Sequence, residues 1–349
     1  MAPESSNSNP ASTPVAQTSR RRILSPLATA QRRVAVPGSR SRRSLNDLRR
    51  ALRGVHSYLP TPFHGNLEID PEGMRQNAAF YAEAGVQPLS LVVAAGLGEL
   101  FSLGFEEHRE VVSAAADGAG GRLPVVAGVR GGYRFALRMA RNAEEAGADA
   151  ILIFPPAGGP QTLEGQRRYF TEIARSVGIG VLLYPRTQRD DWSSLLEGLA
   201  DLPNVMGFKD GSRGIDLGRS LGVRTRKRLV WTARGEEHAL QALPAGATAY
   251  ATSFASLAPR ACHDFWRLGA RGEAKGMETL FRERIAPLAA IRRQLPLPDR
   301  SPGFGVAAIK AALESLGRAG GSVRPPKLPI GPTAGIVEIA ARYSELTQS

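Results

Sequence analysis

Two short apolar runs in this chain each end in a side chain able to do chemistry. Val205-Met-Gly-Phe-Lys209 ends in an amine, and Val181-Leu-Leu-Tyr184 ends in a phenol. That pairing suits imine chemistry on a keto acid, with the lysine as nucleophile and the phenol as proton relay. On a strand, period two puts Val205, Gly207 and Lys209 on one face. If that face lines a barrel interior, desolvation and nearby cations are expected to depress the ammonium pKa and expose a nucleophilic amine. Taken singly, Lys209 also fits a solvent-exposed strand end, and Tyr184 an interfacial tyrosine.

A third candidate is Ala95-Gly-Leu-Gly-Glu-Leu-Phe-Ser-Leu103. Its glycines would let backbone N–H groups approach an anion such as a carboxylate, with Glu99 and Ser102 organising the loop. A plain strand-to-helix turn reads equally well. No metal site is expected, because His56, His64, His108, His238 and His263 lack paired ligand spacing. The chain also lacks a Gly-rich Lys-Ser/Thr phosphate loop and a Gly-x-Ser-x-Gly elbow.

Positioning these groups requires an alternating scaffold. Strands are expected at His56–Thr61, Pro88–Ala94, Pro124–Val129, Ala150–Pro155, Gly180–Tyr184, Val205–Lys209, Arg228–Thr232 and Ala247–Thr252. Amphipathic segments such as Glu106–Gly118, Tyr133–Ala146 and Leu163–Val177 lie between them. Glu144-Glu-Ala-Gly-Ala-Asp-Ala-Ile-Leu-Ile-Phe154 reads as a helix end, a glycine stop and a strand. The pattern predicts an α/β fold, a (β/α)8 TIM barrel over residues 54–270. An open doubly wound sheet would usually carry a glycine fingerprint after its first strand; here Tyr58-Leu-Pro-Thr-Pro-Phe63 follows. Segments near Pro259–Gly272, Glu273–Gln294 and Gly305–Gly317 suggest a C-terminal helical appendage, residues 271–349.

The net charge of +13 is concentrated at one end. Residues 1–53 hold eleven arginines against two acids, Glu4 and Asp47, which leaves only +4 for the other 296 residues. This Ser-, Pro-, Ala- and Arg-rich stretch has too little apolar surface to offset its ordering entropy and is expected to be a disordered basic extension. Ser19-Arg-Arg-Arg-Ile-Leu24 is superficially similar to a twin-arginine signal, but no apolar core follows. Nucleic-acid binding is not expected beyond non-specific contacts of this tail, since the aromatic-interleaved basic stripe of single-strand binders is absent. No apolar run approaches ~18 residues, so no membrane span is expected. The lone Cys262 suits a reducing compartment, and a cytoplasmic location is expected.

Four motifs taken in order, Pro60-Thr-Pro-Phe63, Gly96–Leu103, Leu183-Tyr-Pro-Arg186 and Gly207-Phe-Lys-Asp-Gly211, resemble the dihydrodipicolinate synthase / N-acetylneuraminate lyase superfamily over roughly residues 54–330. Gly98-Glu-Leu-Phe-Ser-Leu103, the glycine of Phe208-Lys-Asp-Gly211, and Asp299–Lys310 with Val323-Arg-Pro-Pro326 are most similar to the 5-dehydro-4-deoxyglucarate dehydratase subgroup. The resemblance implies a Schiff-base lysine at Lys209 and a proton-relay phenol at Tyr184. It implies substrate binding by Gly96, Leu97, Gly98 and Glu99, a hydroxyl near the substrate at Thr252, and an arginine after the tyrosine at Arg186. It further implies dehydration and decarboxylation of a keto-acid substrate to 2,5-dioxopentanoate without metal or organic cofactor, in a homo-oligomer.

Three departures stand out. Leu97 replaces a usual threonine, Phe154–Gln161 is shortened and lacks a tyrosine found in several relatives, and Thr232-Ala-Arg-Gly-Glu-Glu237 is unlike the subgroup. A pyruvate- or 2-keto-acid-dependent aldolase or synthase of the same superfamily is therefore a second expectation. A catalytically altered binding or regulatory barrel is a third.

Overall fold

Short parallel strands pair in chain order and close into a barrel: β1 (Gly54–Tyr58), β2 (Leu89–Val93), β3 (Val125–Val129), β4 (Ala150–Ile153), β5 (Gly180–Leu183), β6 (Val205–Lys209), β7 (Val230–Arg234) and β8 (Ala249–Thr252), the last pairing back to β1. The protein is seen in a computed structural model that describes residues 43–156, 161–185, 192–212, 214–287, 289–290, 305–330, 335–338 and 341–342. The strands are buried on both faces, which is why they read as near-continuous apolar runs. The expected (β/α)8 barrel is the fold observed.

Helices α1 (Leu45–Ala51), α2 (Pro71–Glu83), α3 (Phe105–Ala119), α4 (Tyr133–Glu145), α5 (Leu163–Arg175), α6 (Trp192–Leu199), α7 (Asp216–Ser220), α8 (Val223–Arg228), α9 (Gly235–Ala242) and α10 (Pro259–Ala270) accompany the strands. Their starts are written locally. Asp70 accepts the Gly73 N–H ahead of α2, with Pro71 in the first turn, and Thr162 accepts the Gly165 N–H ahead of α5. In α4 the buried residues Ala136, Met139, Ala140 and Ala143 form one stripe against the barrel.

Gly207 lies tight against β7, since a Cβ there would lie 2.2 Å from the Val230 carbonyl oxygen. That approach aligns Lys209 with Thr232 across the pair. Most strands begin or end one to three residues from expectation, and β1 and β7 show why. β1 stops at Tyr58 rather than Thr61, because Pro60 and Pro62 cannot donate to a ladder. β7 begins at Val230 rather than Arg228, which belongs to α8, so it ends at Arg234.

The expectation of disorder through residue 53 is corrected for its last stretch. Ser44 accepts the Asp47 N–H and caps α1, whose Leu48 is buried together with the following Leu52. Leu45, Leu48 and Leu52 have helical spacing, a stripe hidden by the arginine-rich composition around it. Leu48 reaches the start of β5, where a Cβ on Gly180 would lie 2.7 Å from its Cδ2. The Leu52 carbonyl accepts from His56 Nε2 at 2.8 Å, so α1 seals the N-terminal end of the barrel. Residues 1–42 lie outside the described residues.

Past α10 come α11 (Ala274–Leu280), a π-helical turn over Phe281–Ile285 and α12 (Val306–Ser315). Residues 291–304, which include the end of the expected Glu273–Gln294 segment, lie outside the described residues. Among the described residues no helix is long and apolar enough to cross a membrane.

Candidate active site

The strand ends open on a cavity of ≈ 480 Å³ lined by Tyr58, Gly96, Leu97, Phe101, Phe154, Tyr184, Lys209, Arg234, Glu236 and Thr252 among others. This is the C-terminal face of the barrel, where such folds assemble their sites. Lys209 is the last residue of β6 and half-buried. Its Nζ stands 4.1 Å from the centre of the Tyr58 ring and 4.7 Å from that of Tyr184. The amine is thus held between two phenols, one on β1 and one just past β5.

Neighbouring groups fix both ends of this arrangement. Next to Lys209, the buried Asp210 accepts the indole N–H of Trp231 at 3.0 Å and the Ser212 N–H at 3.0 Å. Trp231 stacks on Phe208, with ring centres 6.5 Å apart. The Tyr184 N–H donates to the Ile153 carbonyl at 3.0 Å, and its ring meets Phe154 edge-on at 5.1 Å. Phe154 in turn meets Phe101 edge-on at 5.9 Å. These rings form an apolar wall around the phenol.

Electrostatics separates the roles. Burial pushes the Tyr58 phenol well above its ordinary range, and Tyr184 nearby adds to this, so it remains a neutral donor. His56, one step down β1 on the same face, is held at about 4, chiefly by burial, while the Leu52 carbonyl opposes the shift and Lys209 adds to it. It is neutral at pH 7 and spends its Nε2–H on the Leu52 carbonyl, so it is no base for the cavity.

The loop after β2 is tightly constrained. Ala94 and Glu99 both lie in the left-handed region, with φ of 44° and 53°. A Cβ on Gly98 would fall 2.8 Å from the Ala94 nitrogen, so only glycine fits. The buried Thr61 hydroxyl donates to the Gly98 carbonyl at 2.7 Å. Leu100 N–H and Glu99 N–H close the turn on Ala95 and Gly96. The N–H groups of Gly96, Leu97 and Gly98 have no acceptor among the described residues.

The expected binding residues therefore separate. Gly96, Leu97 and Thr252 line the cavity with Lys209 and Tyr184. Gly98 is folded into the loop. The Glu99 side chain points elsewhere: Lys310 of α12 donates to its Oε1 at 2.7 Å, and the Arg324 N–H to its Oε2 at 3.2 Å. The Thr252 hydroxyl donates to the Glu236 carboxylate and accepts the Phe254 N–H at 2.9 Å. Leu97, half-buried, packs against the cluster of Val306, Ala307 and Val323. Arg186 lies outside the described residues.

Sequence reasoning missed Tyr58, Arg234 and Glu236. Tyr58 shares a face with His56, so ending β1 at the Leu59-Pro60 break would have placed it at the mouth. Arg234 comes into view once β7 is shifted by two residues.

Against this geometry stand the comparisons with known proteins. Residues 51–334 match the model of the dihydrodipicolinate synthetase family. A probable 5-dehydro-4-deoxyglucarate dehydratase 2 of Streptomyces avermitilis is 35% identical over 280 residues, covering 78% of this chain and 81% of that protein. A probable 5-dehydro-4-deoxyglucarate dehydratase of Rhizobium meliloti is 32% identical over 277 residues, covering 78% of this chain and 89% of that protein. Among solved structures, dihydrodipicolinate synthase from Oceanobacillus iheyensis superposes with a TM-score of 0.72 at 22% identity, over 87% of this chain and 98% of its own. N-acetylneuraminate lyase from Mycoplasma synoviae gives 0.70 at 18% identity, over 85% of this chain and 98% of its own.

Proposed function

The chain belongs to the dihydrodipicolinate synthetase family, and on that premise we propose that it is a lysine-imine lyase converting 5-dehydro-4-deoxyglucarate to 2,5-dioxopentanoate, water and carbon dioxide. The observation that carries this reading is the Lys209 amine between the Tyr58 and Tyr184 rings, inside a cavity that also presents loop N–H groups with no acceptor among the described residues. The names of the relatives supply the substrate.

Lys209 Nζ adds to the substrate ketone, and loss of water from the carbinolamine leaves a cationic imine. The two aromatic faces favour positive charge at that nitrogen. The cation is an electron sink, so the neighbouring methylene gives up a proton and an enamine forms. The enamine electrons expel the hydroxyl β to the imine carbon as water, leaving a conjugated iminium. Cleavage of the distal carbon–carboxylate bond then sends its electron pair into that system and releases carbon dioxide. Reprotonation and hydrolysis free the dioxo acid and return the amine. Tyr184 carries protons in these steps, and the Gly96–Leu97 backbone holds the carboxylate beside the ketone.

Borohydride reduction in the presence of the keto acid should add the mass of one reduced adduct to the protein, located on Lys209. Lys209→Ala should give no adduct and no turnover while keeping its fold. Release of carbon dioxide without an added aldehyde separates this reaction from aldol or synthase chemistry. Full turnover by Lys209→Ala would end the proposal.

A further inference from the structure

Arg234 lines the same cavity as Lys209 and is exposed to it. Several exposed arginines among the described residues lie beside an acid, as Arg109 does with Glu145 and Arg167 with Glu164. The Arg234 guanidinium has no hydrogen-bond or ion-pair partner among the described residues. Glu236, two residues on, is engaged by the Thr252 hydroxyl instead.

The backbone that carries Arg234 is held firmly. Its N–H donates to His238 Nδ1 at 3.0 Å, so His238 carries its proton on Nε2 and donates it to the Gly214 carbonyl at 2.8 Å. Gly235, at φ +67°, turns the chain from β7 directly into α9. A charged side chain on a fixed base, facing a cavity and lacking a protein partner, is suited to a ligand's opposite charge.

The register sets the reach. Lys209 pairs with Thr232, so Arg234 lies two residues further out on the neighbouring strand, about 7 Å along that strand. In a six-carbon 2-keto diacid bound through its ketone, the far carboxylate is roughly 5 Å from the imine carbon by standard bond lengths. An extended arginine on the rim covers the remaining gap.

Resting on the imine reading above, we propose that Arg234 anchors the distal carboxylate of the substrate and makes the site selective for 2-keto diacids over 2-keto monoacids. The proximal carboxylate goes to the loop after β2, and the two anion sites face each other across Lys209. A guanidinium in this place also orients the bond that later breaks to release carbon dioxide.

The test uses the full chain and two acids of equal length, 2-oxoadipate and 2-oxohexanoate, which differ in the charge at the far end. Calorimetric titration should show 2-oxoadipate binding about tenfold more tightly. Arg234→Gln should remove that preference, leaving the monoacid affinity within about twofold, and Arg234→Lys should restore part of it. Melting temperatures should be unchanged, since the side chain is exposed. An undiminished preference in Arg234→Gln overturns the proposal, as does a wild-type protein that binds the diacid no better than the monoacid. Borohydride trapping of the same samples reads the imine separately. Adduct with neither acid, alongside an Arg234-dependent preference in calorimetry, would sink the lysine chemistry and leave the anion site standing.

Discussion

Lys310 Nζ donates to Glu99 Oε1 across 2.7 Å, and both side chains are shut off from solvent. The bond joins α12 to the loop after β2, between residues 211 positions apart. Burial lowers the Lys310 ammonium to about 8, with Glu99 pulling the other way, so the lysine is still charged at pH 7. The same ammonium donates to the Ser322 carbonyl and stands 4.2 Å from the Phe63 ring centre. Two left-handed non-glycine residues, Ala94 and Glu99, are tolerated in that loop because so many contacts determine it.

Lys310→Met leaves the Glu99 carboxylate buried beside a weaker partner. A loss of about 3–5 kcal/mol is expected, the usual cost of breaking a buried pair from one side. Lys310→Met with Glu99→Gln should recover part of that loss, which denaturant titration of the four proteins would measure. Because the loop carries Gly96 and Leu97, KM for the keto acid should rise more than kcat falls. A double variant whose loss equals the sum of the two single losses would show that the pair is not coupled.

The two phenols should respond differently to mutation. Tyr184→Phe should lower kcat by about 10²–10⁴ with little change in melting, as expected for a lost proton relay. Tyr58→Phe keeps the ring over Nζ and should retain most activity, whereas Tyr58→Ala removes the aromatic face and should lower trapping by borohydride as well as kcat. If Tyr58→Phe is as slow as Tyr184→Phe, the hydroxyl of Tyr58 is part of the chemistry too.

Acid should destabilise the barrel through its buried histidines. His56 and His108 are both lowered from 6.5 to about 4, mainly by burial. Between these values the unfolded chain binds protons that the folded one does not, so stability is full above pH 6.5 and falls as pH drops toward 4. Each group contributes roughly 3 kcal/mol over that window. His108 donates from Nε2 to the Gly128 carbonyl, and His108→Gln should flatten the slope of unfolding free energy against pH without abolishing it. An unchanged slope would place the acid sensitivity elsewhere.

Helix α1 should be needed for stability. Leu48 and Leu52 are buried against the strand starts, so Leu48→Ala should cost about 2–5 kcal/mol through the cavity it opens. Truncation through residue 53 should be destabilising for the same reason. A chain lacking residues 1–53 that melts like the whole protein would contradict this.

What could be read from the sequence follows from the range of the forces involved. Lys209 and Tyr184 were visible because each ends a local apolar run, and the barrel because strand and helix periods alternate. Helix α1 was obscured by averaging: three leucines at helical spacing carry little weight in a window of arginines, yet one of them, Leu48, packs on Gly180, more than a hundred residues away. The Glu99–Lys310 pair has no local signature, since only the closed fold brings α12 against the loop. Arg234 depended on a two-residue shift of β7. The observed start of β7, Val230, lies against Gly207, a contact between strands that no single window contains.

Leu97→Thr tests the most visible departure from the family pattern. The side chain lines the cavity on one side and packs with Val306, Ala307 and Val323 on the other. A threonine moves the branch back to Cβ and sets a hydroxyl against an apolar seam, at about 1–3 kcal/mol where that hydroxyl finds no partner. Melting temperature should therefore fall. If the hydroxyl turns into the cavity instead, it joins the Gly96–Leu97 N–H groups as a further donor to the carboxylate, and KM for the diacid should fall while stability holds. The packing with α12 favours the first outcome, because it fixes which way residue 97 faces. Lower stability with unchanged KM would assign Leu97 to the joint between barrel and C-terminal helix, and a lower KM at unchanged stability would assign it to the carboxylate pocket.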